Sequence, residues 1–444
     1  MFSFVVALAI SAQSQSVEET IKAIQKKGLA ELGAYSLLKD LTDNVGARMS
    51  GSAGAAKSVL WVKSNLTKMG ATNVSEIACM VPHWTRGTGE NAKMNGITKL
   101  SICALGGSVA TPHSGIEAEV VEVHSLKEAE ELGDKGKGKI VFFNRPFDTN
   151  TNASSQGYGG AVDQRVGGAA AAAKSGAVAV LVRSMTLSTD DAPHTGAMRY
   201  GAGKKIPAAA LGIQSANKLT EALKHGKTKV RLTLNCKTFP NVPSASVIGE
   251  IKGSEFPKEV IVIGGHLDSW DLGRGAHDDG AGVVHAMEAL RLIKSLGLKP
   301  KRTIRVVAWM DEEQGGTGAK TYFEYASKAS ETHFAAMESD MGGFMPRTFG
   351  VSEDKLEKVR AWEPILRDFG IDRFVPGGAN ADNGPLKPLG TILFSLNPDG
   401  QRYFDVHHSR NDVIENVHPR ELEFGAIATA ALAWLLSEQG DILK

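Results

Sequence analysis

Apolar residues change their spacing along the chain, and the changes divide it. Over residues 17–75 they recur at three-to-four intervals, as at Leu37, Leu38 and Leu41 and again at Val59, Leu60, Val62 and Leu66, the stripe of amphipathic helices. A strand-rich stretch follows. From about 116, short apolar runs at 118–123, 140–143, 177–182 and 230–234 alternate with Gly/Ala-rich segments such as 167–173, which predicts a separate small module. Pro240 and Pro243 punctuate its exit, and a second β/α alternation runs from Ala245 to the end.

That second alternation is the most informative part. The apolar run 260–263 ends in Gly264-Gly265-His266, the run 304–309 leads to Asp311-Glu312-Glu313, and the run 334–337 ends in Glu338-Ser339-Asp340. Between the first two, Val283, Met287, Leu290, Ile293 and Leu296 trace the stripe of a crossover helix on a parallel sheet. The unit is βαβ, and ligands of open α/β sheets bind outside the carboxyl ends of the strands. The expected fold is α/β, with a mixed, largely parallel sheet flanked by helices. Its expected divisions are 1–16 as a leader, 17–115 as the first part of the main domain, 116–238 as an insertion and 239–444 as the remainder.

Composition narrows the class. Fifty Lys and Arg against 49 Asp and Glu give a formal charge of +1, which argues against polyanions and so against nucleic acid. No internal apolar run approaches the roughly 20 residues that span a bilayer. The start, MFSFVVALAISAQSQS, has an apolar stretch followed by small residues and reads as a secretory leader without a basic n-region, which predicts a secreted or lumenal protein. Cys79, Cys103 and Cys236 are too few for a disulfide framework and lack the spacing of a thiolate metal site.

Candidate chemistry gathers at the strand ends. Taken singly, each cluster has an ordinary reading: His266 or His408 as a satisfied histidine, Asp278-Asp279-Gly280 as a helix cap, Glu312-Glu313 as a solvated helix start. Their coincidence in one α/β region overturns this, because carboxylates brought together repel without a cation. Imidazoles and carboxylates without thiolates suit zinc. Two ions bridged by a carboxylate would polarise a carbonyl and generate hydroxide near neutral pH.

The segments GGHLDSWDLGRGAHDDGAGVV, VAWMDEEQGGTGA, MESD and HHSRND, with PHWTRG, PHTG and KIPAAAL before them, resemble the di-zinc exopeptidase family that contains plasma glutamate carboxypeptidase. The resemblance covers nearly the whole chain after the leader. It implies the zinc exopeptidase fold with an inserted, β-rich protease-associated domain serving as a lid or wall of the cleft, or merely as a stabilising unit. It implies that His266 and Asp340 bind one zinc, Glu313 and His408 the other, and that Asp278 bridges them. Glu312 would be the general base and Asp268 would orient His266 through its carboxylate. His408 is preferred to His407 because the family's histidine directly precedes Ser or Thr, here Ser409. His277 departs from the family, which has an apolar residue there, and Asn411-Asp412-Val413 replaces a Gly-Asp-Thr ending.

The implied activity is carboxypeptidase or dipeptidase action on dipeptides or short unblocked peptides, with a homodimer possible. Spacing alone leaves an aminopeptidase open, since the two differ in what anchors the free terminus. A receptor-like binding protein would have lost ligands, and all five are present. A two-metal phosphoesterase would need an Arg or Lys clamp, for which Arg274 is the nearest candidate.

Overall fold

The computed structural model describes residues 16–444, so the leader expected over 1–16 lies outside the described residues except for Ser16. Three helices open the fold, α1 (Val17–Glu31), α2 (Gly33–Asp40) and α3 (Ala53–Lys68). Ser16 and Glu19 cap α1 reciprocally, each side chain accepting the other's backbone N–H. Strand β1 (Thr72–Thr85) is long, and β2 (Asn91–Met94), β3 (Thr98–Leu100) and β4 (Ile102–Ala104) are short. An alternation follows: β5 (Ile116–Val123), α4 (Leu126–Glu131), β6 (Ile140–Phe143), α5 (Ser154–Gly159) and α6 (Asp163–Lys174). It continues through β7 (Ala179–Arg183), β8 (Ala208–Leu211), α7 (Ile213–Lys224) and β9 (Lys229–Thr233). The remainder comprises β10 (Lys237–Ile251), β11 (Phe256–His266), α8 (Ala281–Ser295), β12 (Arg302–Trp309) and α9 (Thr317–Lys328). Then come β13 (Thr332–Glu338), β14 (Pro346–Val351), β15 (Arg373–Pro376), β16 (Ile392–Pro398) and a long helix, Pro419–Gln439.

The strands form two eight-stranded sheets. The first runs β1-β10-β12-β11-β13-β16-β14-β15, with its centre, β12 through β16, parallel and its flanks largely antiparallel. This is the mixed, largely parallel sheet expected, and helices α8 and α9 and the long C-terminal helix pack on it. The runs at its centre are continuously apolar because both faces are covered. Ile261 and Ile263 of β11 enter one core cluster, Val260 and Val262 another. Burying side chains of this size contributes about 1.5–3 kcal/mol each.

The second sheet, β3-β2-β9-β5-β6-β7-β8-β4, contains strands from Asn91 onward. It therefore begins before the boundary expected at 116, because β2, β3 and β4 are too short for sequence patterning to attach them to a sheet. Nor is it simply β-rich: β5, β6, β7 and β8 are parallel, and α4, α5, α6 and α7 intervene. Alternate residues of β6 and β7 feed two different cores. Among the described residues no helix is long and apolar enough to cross a membrane.

Candidate metal centre

Strands β12, β11 and β13 are adjacent and parallel, so their carboxyl ends share one edge. His266 ends β11, Asp311-Glu312-Glu313 lie just past β12, and Asp340 lies just past β13. Asp278 sits in the turn Ala276–Gly280 that leads into α8, and His408 follows the short turn Tyr403–Val406. His266 Nε2 is 3.2 Å from Asp278 Oδ1 and 3.4 Å from Asp340 Oδ1. His408 Nε2 is 3.0 Å from Glu313 Oε2 and 3.2 Å from Asp278 Oδ2. Asp278 thus turns one oxygen to each imidazole, giving two three-residue groups that share it.

Other groupings of these side chains are possible, since Asp279 lies near His266 and Asp340, and His407 near Asp278 and His408. The hydrogen bonding of the alternatives differs. The two Asp279 oxygens accept the N–H groups of His266 and Gly282, at 3.0 and 2.9 Å, so this carboxylate is committed to the backbone. His407 stands farther from Asp278, at 3.6 Å, and stacks on His408 with ring centroids 3.5 Å apart. Burial and the neighbouring His408 hold its pKa well below the ordinary value.

Asp268, expected to orient His266, meets it through two groups and has further partners. His266 Nδ1 is 3.0 Å from the Asp268 main-chain carbonyl but 3.7 Å from its carboxylate. The carboxylate instead accepts the N–H groups of Asp311 at 2.7 Å, Glu312 at 3.1 Å and Glu313 at 3.3 Å, and the Ser50 hydroxyl at 3.0 Å. Three consecutive amides on one carboxylate pin the loop that carries both glutamates. Asp412, in the segment that departs from the family pattern, does the same for the other loop by accepting from His277 N at 2.6 Å and Asp278 N at 3.2 Å. The unusual His277 stacks on Phe344 with centroids 4.3 Å apart and accepts the Gly343 N–H at 3.1 Å. Burial pushes its pKa down to about 4, so it is a neutral packing residue.

The electrostatics fit a cation. Asp278 Oδ2 and Glu313 Oε1 are buried without a hydrogen-bond partner among the described residues, and Asp278, Glu313 and Asp340 have no Lys or Arg ion-pair partner there. Burial raises the pKa of Glu313 and Asp340, and that of Glu312 well above the carboxylate range, where Asp340, Glu313 and Asp268 add to it. Burial opposes charge on His266 and His408 too, yet the facing carboxylates hold both imidazoles well above their ordinary pKa. Divalent ions would relieve the carboxylates that crowd here, and nitrogen and oxygen donors without thiolate suit zinc. All three cysteines are buried and unpaired.

A cavity of about 340 Å³ opens on this cluster, with Glu312, Tyr403 and His407 in its wall. Larger hollows elsewhere contain none of the cluster's residues. The opposite wall comes from the unit built on the second sheet: Tyr158, Arg165, Val166, Ala197 and Arg199. Sequence reasoning missed these residues, which carry no local signal. Arg274, the nearest candidate for the clamp that a phosphoesterase would need, is exposed and pairs with Asp43 at 2.9 Å. Arg165 is 7 % exposed. It has no carboxylate partner among the described residues, and its Nε has no hydrogen bond. Its Nη1 lies 3.3 Å from both the Thr195 carbonyl and His408 Nδ1.

The chain as a whole is similar to known peptidases. The sequence pattern of peptidase family M28 matches residues 246–432. Carboxypeptidase Q of Bos taurus is 36% identical over 433 residues, covering 96% of this chain and 90% of that protein. The crystal structure of a peptidase M28 precursor from Shewanella amazonensis superposes with a TM-score of 0.89 at 32% identity, covering 95% of this chain and 97% of that one. A zinc aminopeptidase from Bacillus subtilis shares the fold, with a TM-score of 0.64 at 24% identity over 90% of this chain and 93% of that one.

Proposed function

The chain belongs to peptidase family M28, and from that membership we propose that it is a di-zinc exopeptidase of carboxypeptidase or dipeptidase type, acting on dipeptides or short peptides with a free carboxyl terminus. His266 and Asp340 would hold one zinc and Glu313 and His408 the other, with Asp278 between them. When bound, such a pair polarises a carbonyl and lowers the pKa of water.

The chain's own residues do the rest. Glu312 stands in the cavity wall, and its neighbour Glu313 faces His408. Asp268 makes this division possible by fixing the amides of both. A carboxylate whose pKa is raised by burial is suited to take a proton from water and return it to the leaving nitrogen. The unit on the second sheet, in the place of the family's protease-associated domain, closes the cavity from the other side.

The observation that carries the carboxypeptidase polarity is Arg165. Were His408 to help hold a metal, its Nδ1, 3.2 Å from the Thr195 carbonyl, would carry the proton and donate there, and would offer Arg165 no acceptor. A nearly buried guanidinium without a carboxylate partner is costly, and a substrate carboxylate entering the cavity supplies that partner bidentately. An aminopeptidase would need an anion there to hold an amine.

Mass-spectrometric product analysis on free, N-acylated and C-amidated tripeptides tests this. The expected result is release of the C-terminal residue from free and N-acylated peptides and none from the amides. Cleavage of the amides with sparing of the acylated peptides would establish an aminopeptidase instead.

A further inference from the structure

The two proposed ion sites are held by different parts of the molecule. His266 is fixed by its own neighbourhood, with its N–H on Asp279 and its Nδ1 beside the Asp268 carbonyl, and it meets Asp340 directly. Glu313 and His408 are tied to the unit on the second sheet. The Trp270 indole N–H donates to Glu313 Oε2 at 2.5 Å, while the ring, 4 % exposed, lies in the core beneath that sheet with Trp84, Leu211 and Leu234. Gly106, just past β4, makes the slot: a Cβ there would fall 1.9 Å from the ring.

The tie continues through the next residue. Asp271 accepts from Arg86 Nη2 at 2.6 Å and from its Nε at 2.9 and 3.2 Å, and Arg86 Nη2 donates to the Thr195 hydroxyl at 3.3 Å. Thr195 N–H then donates to the His408 carbonyl at 2.9 Å. His408 needs that support, because its φ of +59° is left-handed, a conformation that a residue with a Cβ holds only when its surroundings impose it.

We propose that the unit on the second sheet completes the Glu313–His408 ion site, and that Trp270 is the positioning residue through which its docking fixes Glu313. The inference rests on the two-ion reading above. An indole N–H on Oε2 stops the carboxylate from rotating and holds it facing His408. Hydrogen bonds of this kind to a metal-binding side chain are worth about 10–100-fold in metal affinity. The prediction is therefore asymmetric, with the His266–Asp340 site independent of Trp270 and the other dependent on it.

Zinc titration of the full-length apoprotein by calorimetry with a competing chelator reads both sites. Wild type is expected to bind two equivalents. Trp270→Phe keeps a ring in the slot and removes only the donor. It should bind the first equivalent as wild type does and the second about 10–100-fold more weakly, with turnover restored by excess zinc. Gly106→Ala, whose added methyl displaces the ring, should behave likewise without changing any residue of the metal cluster. In wild type, one of the six tryptophan indole N–H resonances should respond to the second equivalent and not to the first. That readout needs no variant to fold. The proposal is overturned if both variants, with unchanged thermal unfolding as apoproteins, bind two equivalents as tightly as wild type, or if no indole resonance follows the second equivalent. A wild type that binds a single equivalent overturns the two-ion reading itself.

Discussion

Two eight-stranded sheets of similar construction meet at one cavity and contribute to it in opposite ways. Both have parallel strands at the centre, and both bury their central strands on two faces. In the first, the carboxyl ends of β11, β12 and β13 are followed at once by His266, Asp311-Glu312-Glu313 and Asp340. In the second, β6, β7 and β8 are followed by Asn144, Ser184 and Gly212, and the cavity receives residues of α5 and α6 and of the loop past β7 instead. A parallel sheet supplies a rigid edge, and what stands on that edge decides whether it becomes a reaction centre or a wall. In the function proposed above, the first sheet would hold the groups that must be placed precisely for bond cleavage, and the second a cation, Arg165, for the substrate to find.

The division of labour can be broken at the reacting side. Glu312→Gln should retain two zinc equivalents and lose about 10²–10⁴-fold in kcat, measured with a dipeptide under saturating conditions. Metal-replete enzyme with near-normal turnover would remove Glu312 from the role of base. On the wall side the effect is smaller and of another kind. Arg165→Met should raise KM for free-carboxylate peptides at least about tenfold and change kcat little, the pattern of a lost ground-state contact. The distinction between free acids and amides should shrink with it. A fall in kcat alone, with KM intact, would move Arg165 from binding to the support of His408.

A third variant serves as a control that touches neither sheet's share of the cavity. Glu288 and Glu423 are both fully buried between α8 and the C-terminal helix, beside Gly33 and the Ala34 N–H, with Arg291 and Glu31 at the edge. Burial and the adjacent Glu288 push the Glu423 carboxyl from 4.5 up to about 8. The folded state then binds this proton more tightly than the unfolded chain does. Its contribution to stability is full below about pH 4.5 and is lost as pH rises through about 8. Glu423→Gln should flatten the decline of Tm between pH 5 and 8, by a few degrees at pH 8, and leave zinc binding and KM unchanged. An identical Tm–pH curve for the two proteins would show that Glu423 ionises freely in the fold.

The sequence showed the first sheet far better than the second. β11, β12 and β13 are continuous apolar runs, each followed directly by polar residues, and α8 between the first two has a regular stripe, so both the βαβ unit and the side chains at its end were readable. The second sheet was readable only in its parallel strands. β2, β3 and β4 have three or four residues each, too few to show an alternation, and its lower boundary moved from 116 to 91 as a result. Within the cluster, the histidines and acids were legible because their chemistry is unusual at strand ends. The support around them was not. Asp412 stood out only as a departure from a family pattern, and the bonds that Asp268 takes from the Asp311, Glu312 and Glu313 amides were not legible, because a backbone N–H is something every residue but proline possesses.

What the sequence determined by itself is which polar residues stand at the strand ends, because short-range order along the chain places His266, Asp311-Glu312-Glu313 and Asp340 there wherever those strands lie. What only the tertiary structure decided is how they are partnered. Asp278 faces two imidazoles 12 and 130 positions away, Arg165 meets His408, and Trp270 joins Glu313 to the core of the second sheet. Each of these contacts is set by the packing of separate elements. No local period records such packing, because the burial that drives it is non-directional and depends on area rather than on order along the chain.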